Sequence, residues 1–303
     1  MTWRTYADWA KQRPAALRLA DRLGRGRGRF RVLDRLHAPR AAKIPDLSRW
    51  AEYELATVWI GHATVLLRIG GMTILTDPVL LNRVGIGLGV MTGGPRRFIA
   101  PALTIRQLPP LDLILISHAH FDHLDRPTLS RLPRTVPVIT APATRDLIDD
   151  LGFAVVSELQ WGESMQLGAV RITAQQVSHW GARTFHDDHR GYNAYLLESG
   201  HRRVLYGGDT AYQEHFRTIG GVELAILGIG AYNPWVKGHA TPEQAWEMAG
   251  HAGARSLMAI HHSTFKLSYE PMDEPMQRLL TAAGSDQGRV IAREPGDLWV
   301  AGG

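Results

Sequence analysis

The sequence predicts an α/β protein, on three observations. From Leu111 onward, short apolar runs alternate with amphipathic ones in a strand-then-helix rhythm. Ahead of them, from about Glu52, β-like runs follow one another with only glycine turns between. Finally, several strong metal-binding side chains stand just after apolar runs, at strand ends, where layered α/β proteins gather reactive groups.

Taken in order, residues 53–60, 64–69 and 72–76 read as an antiparallel meander turning at Gly61 and Gly70-Gly71. Residues 80–110 carry Gly85, Gly87, Gly89, Gly93, Gly94 and Pro95, and read as a long ordered loop, the candidate lid or wall of a cleft. Strands are expected at 113–117 and 136–140, with helices at 126–132 and 143–151. A second set follows, with strands at 170–177, 193–197, 203–206 and 224–227, then a helix, then a strand at 257–260. That helix has a clear start: Thr241 as N-cap, Pro242 at the first helical position and Gln244 completing a capping box. The chain divides into a basic N-terminal extension, 1–52, and a catalytic domain, 53–303.

Composition bounds the chemistry. With 45% hydrophobic and 21% charged residues, the 303-residue chain is not intrinsically disordered. It has no cysteine, which removes disulfides, thiolate metal sites and cysteine nucleophiles together and fits a reducing compartment. Any metal is held by histidine and carboxylate. The first residues lack the apolar core of a signal peptide and no run reaches bilayer length, so a cytoplasmic protein is expected. Residues 1–50 hold 13 Lys and Arg against 4 Asp and Glu, concentrated in the arginine-rich run 22–31. Such an arm suits peripheral contact with an anionic membrane. No nucleic-acid-reading motif accompanies it, so nucleic acid is not the expected partner. The simpler reading is a solvated arm packing on the body.

The strongest chemical signal is His118-x-His120-x-Asp122-His123, directly after the apolar run 111–116. His179, Asp209 and the pair His261-His262 share its address, each following a predicted strand. Seven donors exceed one tetrahedral ion, which takes three protein ligands plus water when catalytic, but suit two ions sharing a carboxylate. His118 and His120, two apart, point the same way from an extended loop and join His179 on one ion. Asp122, His123 and one histidine of the 261–262 pair hold the other. Asp209 bridges, because a carboxylate offers two oxygens. Two divalent ions about 3.5–4 Å apart activate a bridging hydroxide and polarise the substrate, so no side-chain nucleophile is needed. This is hydrolase chemistry, with Asp122 and Asp209 as its candidate catalytic carboxylates. The absence of a Gly-x-Ser-x-Gly elbow agrees.

Other polar positions carry less. Asp77, in Thr76-Asp77-Pro78, either orients a liganding imidazole or starts a turn. His62 and His239 either line the pocket or are hydrogen-bonded structural residues. Arg183 and Tyr192, after His179, are candidates for binding a substrate anion or simply lie at the surface.

With these donors in this order, the chain resembles the metallo-β-lactamase-fold hydrolases. The runs Trp59-Ile60-Gly61-His62-Ala63-Thr64, Leu75-Thr76-Asp77-Pro78, Ser178-His179-Trp180, Gly207-Gly208-Asp209-Thr210 and Ile260-His261-His262-Ser263-Thr264-Phe265 are similar to the branch containing N-acylphosphatidylethanolamine-hydrolysing phospholipase D. The resemblance spans about 53–300. It implies an αββα four-layer sandwich, two mixed β-sheets flanked by helices, and two divalent ions, zinc being usual and manganese or iron possible. It also implies His261 rather than His262 as the ligand, and a small-molecule or lipid-like phosphodiester as substrate. After Asn233-Pro234 the chain departs from the phospholipase pattern, reading Trp235-Val236-Lys237-Gly238 before His239 where that pattern has an arginine and a longer connection. The same scaffold also hosts lactonases and other ester hydrolases, and mononuclear iron persulfide oxidoreductases. A nuclease working through the basic arm is the remaining alternative.

Overall fold

The computed structural model describes residues 43–88, 91–184 and 186–302. The arginine-rich run and most of the basic extension lie outside them. Two seven-stranded sheets account for most of the rest. The first is built from β1 (Leu55–Gly61), β2 (Thr64–Ile69), β3 (Met72–Thr76), β6 (Leu113–Leu115), β7 (Val138–Thr140), β8 (Val156–Glu158) and β16 (Leu298–Val300), in the order β16-β1-β2-β3-β6-β7-β8. The second contains β9 (Ser164–Leu167), β10 (Val170–Gln175), β11 (Ala194–Ser199), β12 (Arg202–Tyr206), β13 (Leu224–Gly228), β14 (Ser256–Ile260) and β15 (Val290–Ile291), running from β9 to β15 in sequence order. Each sheet has three antiparallel pairings followed by three parallel ones.

Alternation along the strands explains the layering. Leu55, Trp59, Val65, Leu67 and Ile74 of the first sheet meet Ile172, Tyr195, Leu197, Val204 and Ile226 of the second in one buried core. The intervening residues Ala56, Val58, Ile60, Leu66 and Ile114 face outward under α1 (Arg126–Leu129) and short 3₁₀ turns. On the opposite outer face Leu205, Ala225, Leu227 and Leu257 pack under α2 (Pro242–His251) and α3 (Glu274–Ala283). The α/β sandwich expected from the sequence is the architecture observed.

The differences are local. The expected helix at 126–132 is a single turn, capped by Asp125 and closed before Pro133. The one at 143–151 is two 3₁₀ turns, because Ala143 is left-handed (φ 53°) and Ile148 (φ −130°) leaves helical geometry between them. Residues 80–110 are not structureless: β4 (Ile86–Leu88) pairs with β5 (Met91–Gly93) in a hairpin. Its base needs glycine, since a Cβ on Gly85 would lie 2.2 Å from the Gly93 carbonyl oxygen and one on Gly94 2.0 Å from that of Val84. The α2 start matches the sequence reading in full, Thr241 and Gln244 capping each other.

Candidate metal centre

All seven candidate ligands come to one rim, beyond the C-terminal ends of β6, β10, β12 and β14. The loop after β6 curls as a helical turn, with His123 N and Leu124 N both donating to His120 O, so His118, His120, Asp122 and His123 project from one short arc. Gly208 lets the β12 end approach this arc: at φ 55° a Cβ there would meet Ser117 Cβ at 2.7 Å.

The donors form two four-residue groups, and Asp209, His239 and His261 make a third cluster that overlaps both. His118, His120, His179 and Asp209 place one ligand atom each within 4.8 Å of one another, and so do His62, Asp122, His123 and His261. In the first, His118 Nε2 lies 2.8 Å from His120 Nδ1, which lies 3.3 Å from His179 Nε2. In the second, Asp122 Oδ2 is 3.2 Å from His261 Nε2 and 3.6 Å from His123 Nε2. Asp209 Oδ2 stands between, 3.1 Å from His123 Nε2, 3.2 Å from His261 Nε2, 3.9 Å from His118 Nε2 and 3.8 Å from His179 Nε2.

A layer of partners fixes which nitrogen faces inward. Asp77 Oδ2 accepts from His123 Nδ1 at 2.6 Å, and from Ser117 Oγ and Tyr206 OH at 2.6 Å each, while Oδ1 accepts from Ser117 N at 2.7 Å. Asp77 thereby holds a proton on His123 Nδ1 and turns Nε2 towards Asp209. His179 Nδ1 donates to Gly238 O at 2.7 Å, which leaves its Nε2 facing the first group. Nothing in the sequence marks Ser117 and Tyr206; only their places at strand ends beside Asp77 distinguish them.

The remaining candidates sort clearly. His62 Nε2 is 2.8 Å from Asp122 Oδ2. His239 is buried, with Nδ1 3.8 Å from Asp209 Oδ2 and its ring 5.1 Å from His179 and 5.2 Å from His261. Tyr192 packs edge-on to His179 with ring centroids 6.2 Å apart, and its backbone bridges to His118. Arg183 is half-buried and sits beneath the ligand arc, where Nη1 donates to the carbonyls of Ala119 (2.7 Å) and Leu124 (2.8 Å). His262 turns away, stacking on Trp59 at 4.6 Å and pairing Nδ1 with Ser263 Oγ at 2.8 Å.

The electrostatics call for positive charge at this spot. Burial, with His123, His120 and His179 beside it, keeps His118 well below the usual imidazole range. Burial brings His120 down to about 4, and His62, His179 and His239 to about 3. Burial alone would raise Asp122 and Asp209, but His123 leads the neighbours that hold both well below the carboxylate range. Conversely, burial would lower His261, but Asp209 and Asp122 lift it to about 9. His123 is raised in the same way, against burial, by Asp209, Asp122 and Asp77. The two carboxylates thus draw protons onto His123 and His261, at the place a cation would sit. His123 Nε2 and Asp209 Oδ1 are buried without hydrogen-bond partners. Imidazole and carboxylate donors without thiolate, with unfilled atoms at the centre, fit divalent ions such as zinc, manganese or iron.

Residues 72–262 match the Beta-lactamase superfamily domain. The chain is 32% identical over 275 residues to an uncharacterized protein of Mycobacterium tuberculosis, spanning 86% of this chain and 72% of that one. It is 29% identical over 277 residues to N-acyl-phosphatidylethanolamine-hydrolyzing phospholipase D 1 of Caenorhabditis elegans, spanning 83% and 77%. Among solved structures, a metallo-beta-lactamase fold protein of Bacillus subtilis superposes with a TM-score of 0.58 at 20% identity, over 81% of this chain and 98% of that one. A diiron beta-hydroxylase of Streptomyces venezuelae does so with a TM-score of 0.58 at 21% identity, over 78% and 52%. The chain belongs to the beta-lactamase superfamily and has the metallo-β-lactamase fold, a scaffold of metal-dependent hydrolases. Among the described residues no helix is long and apolar enough to cross a membrane.

Proposed function

We infer that the protein is a two-metal hydrolase acting on a phosphodiester, with a small-molecule or lipid-like substrate. The observation that carries the reading is the position of Asp209 Oδ2, 3.1–3.9 Å from imidazole nitrogens of both donor groups. His118, His120 and His179 would hold one ion, Asp122, His123 and His261 the other, and Asp209 both. When bound, such a pair supplies Lewis acidity and a hydroxide at neutral pH. The chain's own part is to orient and to exclude. Asp77 keeps His123 Nε2 inward, and Gly238 O does the same for His179. His239, buried with Nδ1 3.8 Å from Asp209 Oδ2, would line the same pocket and hydrogen-bond a leaving oxygen. Similarity to the Caenorhabditis elegans phospholipase supports the phosphodiester over other esters.

The test is turnover of bis-aryl phosphodiesters beside a panel of lactones by zinc- and manganese-loaded protein, with metal content measured on the same sample. Phosphodiester cleavage at two ions per chain is expected. Lactone-only activity overturns the substrate class, and one iron per chain with oxygen consumption overturns the hydrolase.

A further inference from the structure

We propose that His62 is a positioning residue for the second donor group, holding Asp122 through its ring and His261 through its backbone. The proposal rests on the two-ion reading above. His62 stands in the turn between β1 and β2 and is fully buried. Its φ of 56° is left-handed, a conformation that a histidine keeps only where its surroundings over-determine it. They do so here: His62 N donates to Thr264 Oγ1 at 2.8 Å, and His62 O accepts from Trp59 Nε1 at 2.8 Å and from His261 N at 3.2 Å. His261 is itself left-handed, at φ 64°. Two strained turns, one from each sheet, are thus joined back to back by a peptide hydrogen bond.

From this anchored backbone the ring reaches Asp122, with Nε2 2.8 Å from Oδ2. It packs 4.2 Å from the ring of His261 and edge-on to Phe265 at 5.1 Å. The tautomer decides what the contact does. Nδ1 is buried without a partner, so a proton there would be an orphaned donor, costlier and rarer than an unfilled acceptor. The proton therefore belongs on Nε2, where it is donated to Asp122. A protonated Nε2 has no lone pair to offer a cation, so His62 orients the group it stands among and does not ligate with it.

Cobalt titration of the full chain, followed by visible absorption and by metal analysis, tests this. Asparagine tolerates the left-handed backbone but is too short to reach Asp122, whereas glutamine can place an N–H near the position of Nε2. In His62→Asn the second ion should bind about 10–100-fold more weakly, with the first unchanged. In His62→Gln most of that loss should be recovered, with the cobalt absorption bands close to those of wild type. Wild-type affinity for both ions in His62→Asn overturns the proposal, as does His62→Gln binding no better than His62→Asn. A wild-type chain taking fewer than two ions overturns the two-ion reading itself.

Discussion

The guanidinium of Arg183 lies 3.8 Å above the ring of Phe121, in the middle of the arc whose two ends its Nη1 ties together. Four residues after His179, it joins the loop of one sheet to that of the other. A lysine gathers its donors at one point and has no planar face, so it cannot keep both carbonyls while lying flat over the ring. Arg183→Lys is expected to cost about 2–3 kcal/mol, from one buried carbonyl left unpaired and a lost cation–π contact. Metal content should fall along with thermal stability. Wild-type stability and metal content in the variant would show that the clasp is incidental.

Asp77 collects four donors, from Ser117 N, Ser117 Oγ, Tyr206 OH and His123 Nδ1. Asp77→Asn replaces one acceptor oxygen by an NH₂ facing those donors. About 2–4 kcal/mol of stability should be lost, and about 10–100-fold in affinity for the ion that His123 would hold. Isothermal metal titration of the folded variant measures the second effect, and an unchanged affinity would remove Asp77 from the centre's support.

Asp209→Ala should release or misplace at least one ion and abolish turnover, because Asp209 Oδ2 is the atom common to both donor groups. Metal analysis and phosphodiester turnover check it together. A variant that keeps both ions and full turnover would contradict the shared role.

Acid should weaken the metal-free fold through histidines that burial keeps neutral. His262 is pushed down to about 3 by burial. The unfolded chain protonates this residue near 6.5 while the folded one does not, so its stabilising share is complete above 6.5 and lost as pH falls towards 3. The slope is about 1.4 kcal/mol per pH unit for one such group. His261, lifted to about 9 by Asp209 and Asp122 against burial, works in the opposite sense, so a difference between two proteins isolates one residue. In urea denaturation with chelator at pH 7, 6 and 5, His262→Gln should lose stability less steeply than wild type. Identical slopes would mean that His262 is protonated in the fold.

Much of the site was legible because its chemistry is local in the chain. The run 118–123 and the strand-end positions of His179, Asp209 and His261 are patterns of residue type and period. The choice between His261 and His262 was not legible from period alone; it follows from which ring meets Asp122 and which stacks on Trp59. Arg183 reads in sequence as an anion binder or a surface cation, since nothing in a one-dimensional pattern reveals the two carbonyls it finds 59 and 64 residues back. The helices expected at 126–132 and 143–151 shorten to single turns where Pro133, Ala143 and Ile148 interrupt an amphipathic pattern. In contrast α3 forms as a full helix without a side-chain N-cap to announce it, Met276, Leu279, Leu280 and Ala283 keeping a helical period. Strands β8, β9, β15 and β16 are two to four residues long, too short for alternation to register.

The twin sheets divide the centre between them. The arc with His118, His120, Asp122 and His123 leaves the first sheet, while His179, Asp209 and His261 leave the second. Neither half-chain owns a complete coordination set, so any cation bound there is also a rivet across the seam between two sandwiched slabs. Chelation would then loosen the adhesion of the halves as well as silence the chemistry, and the ambient metal supply would govern how firmly the protein stays shut.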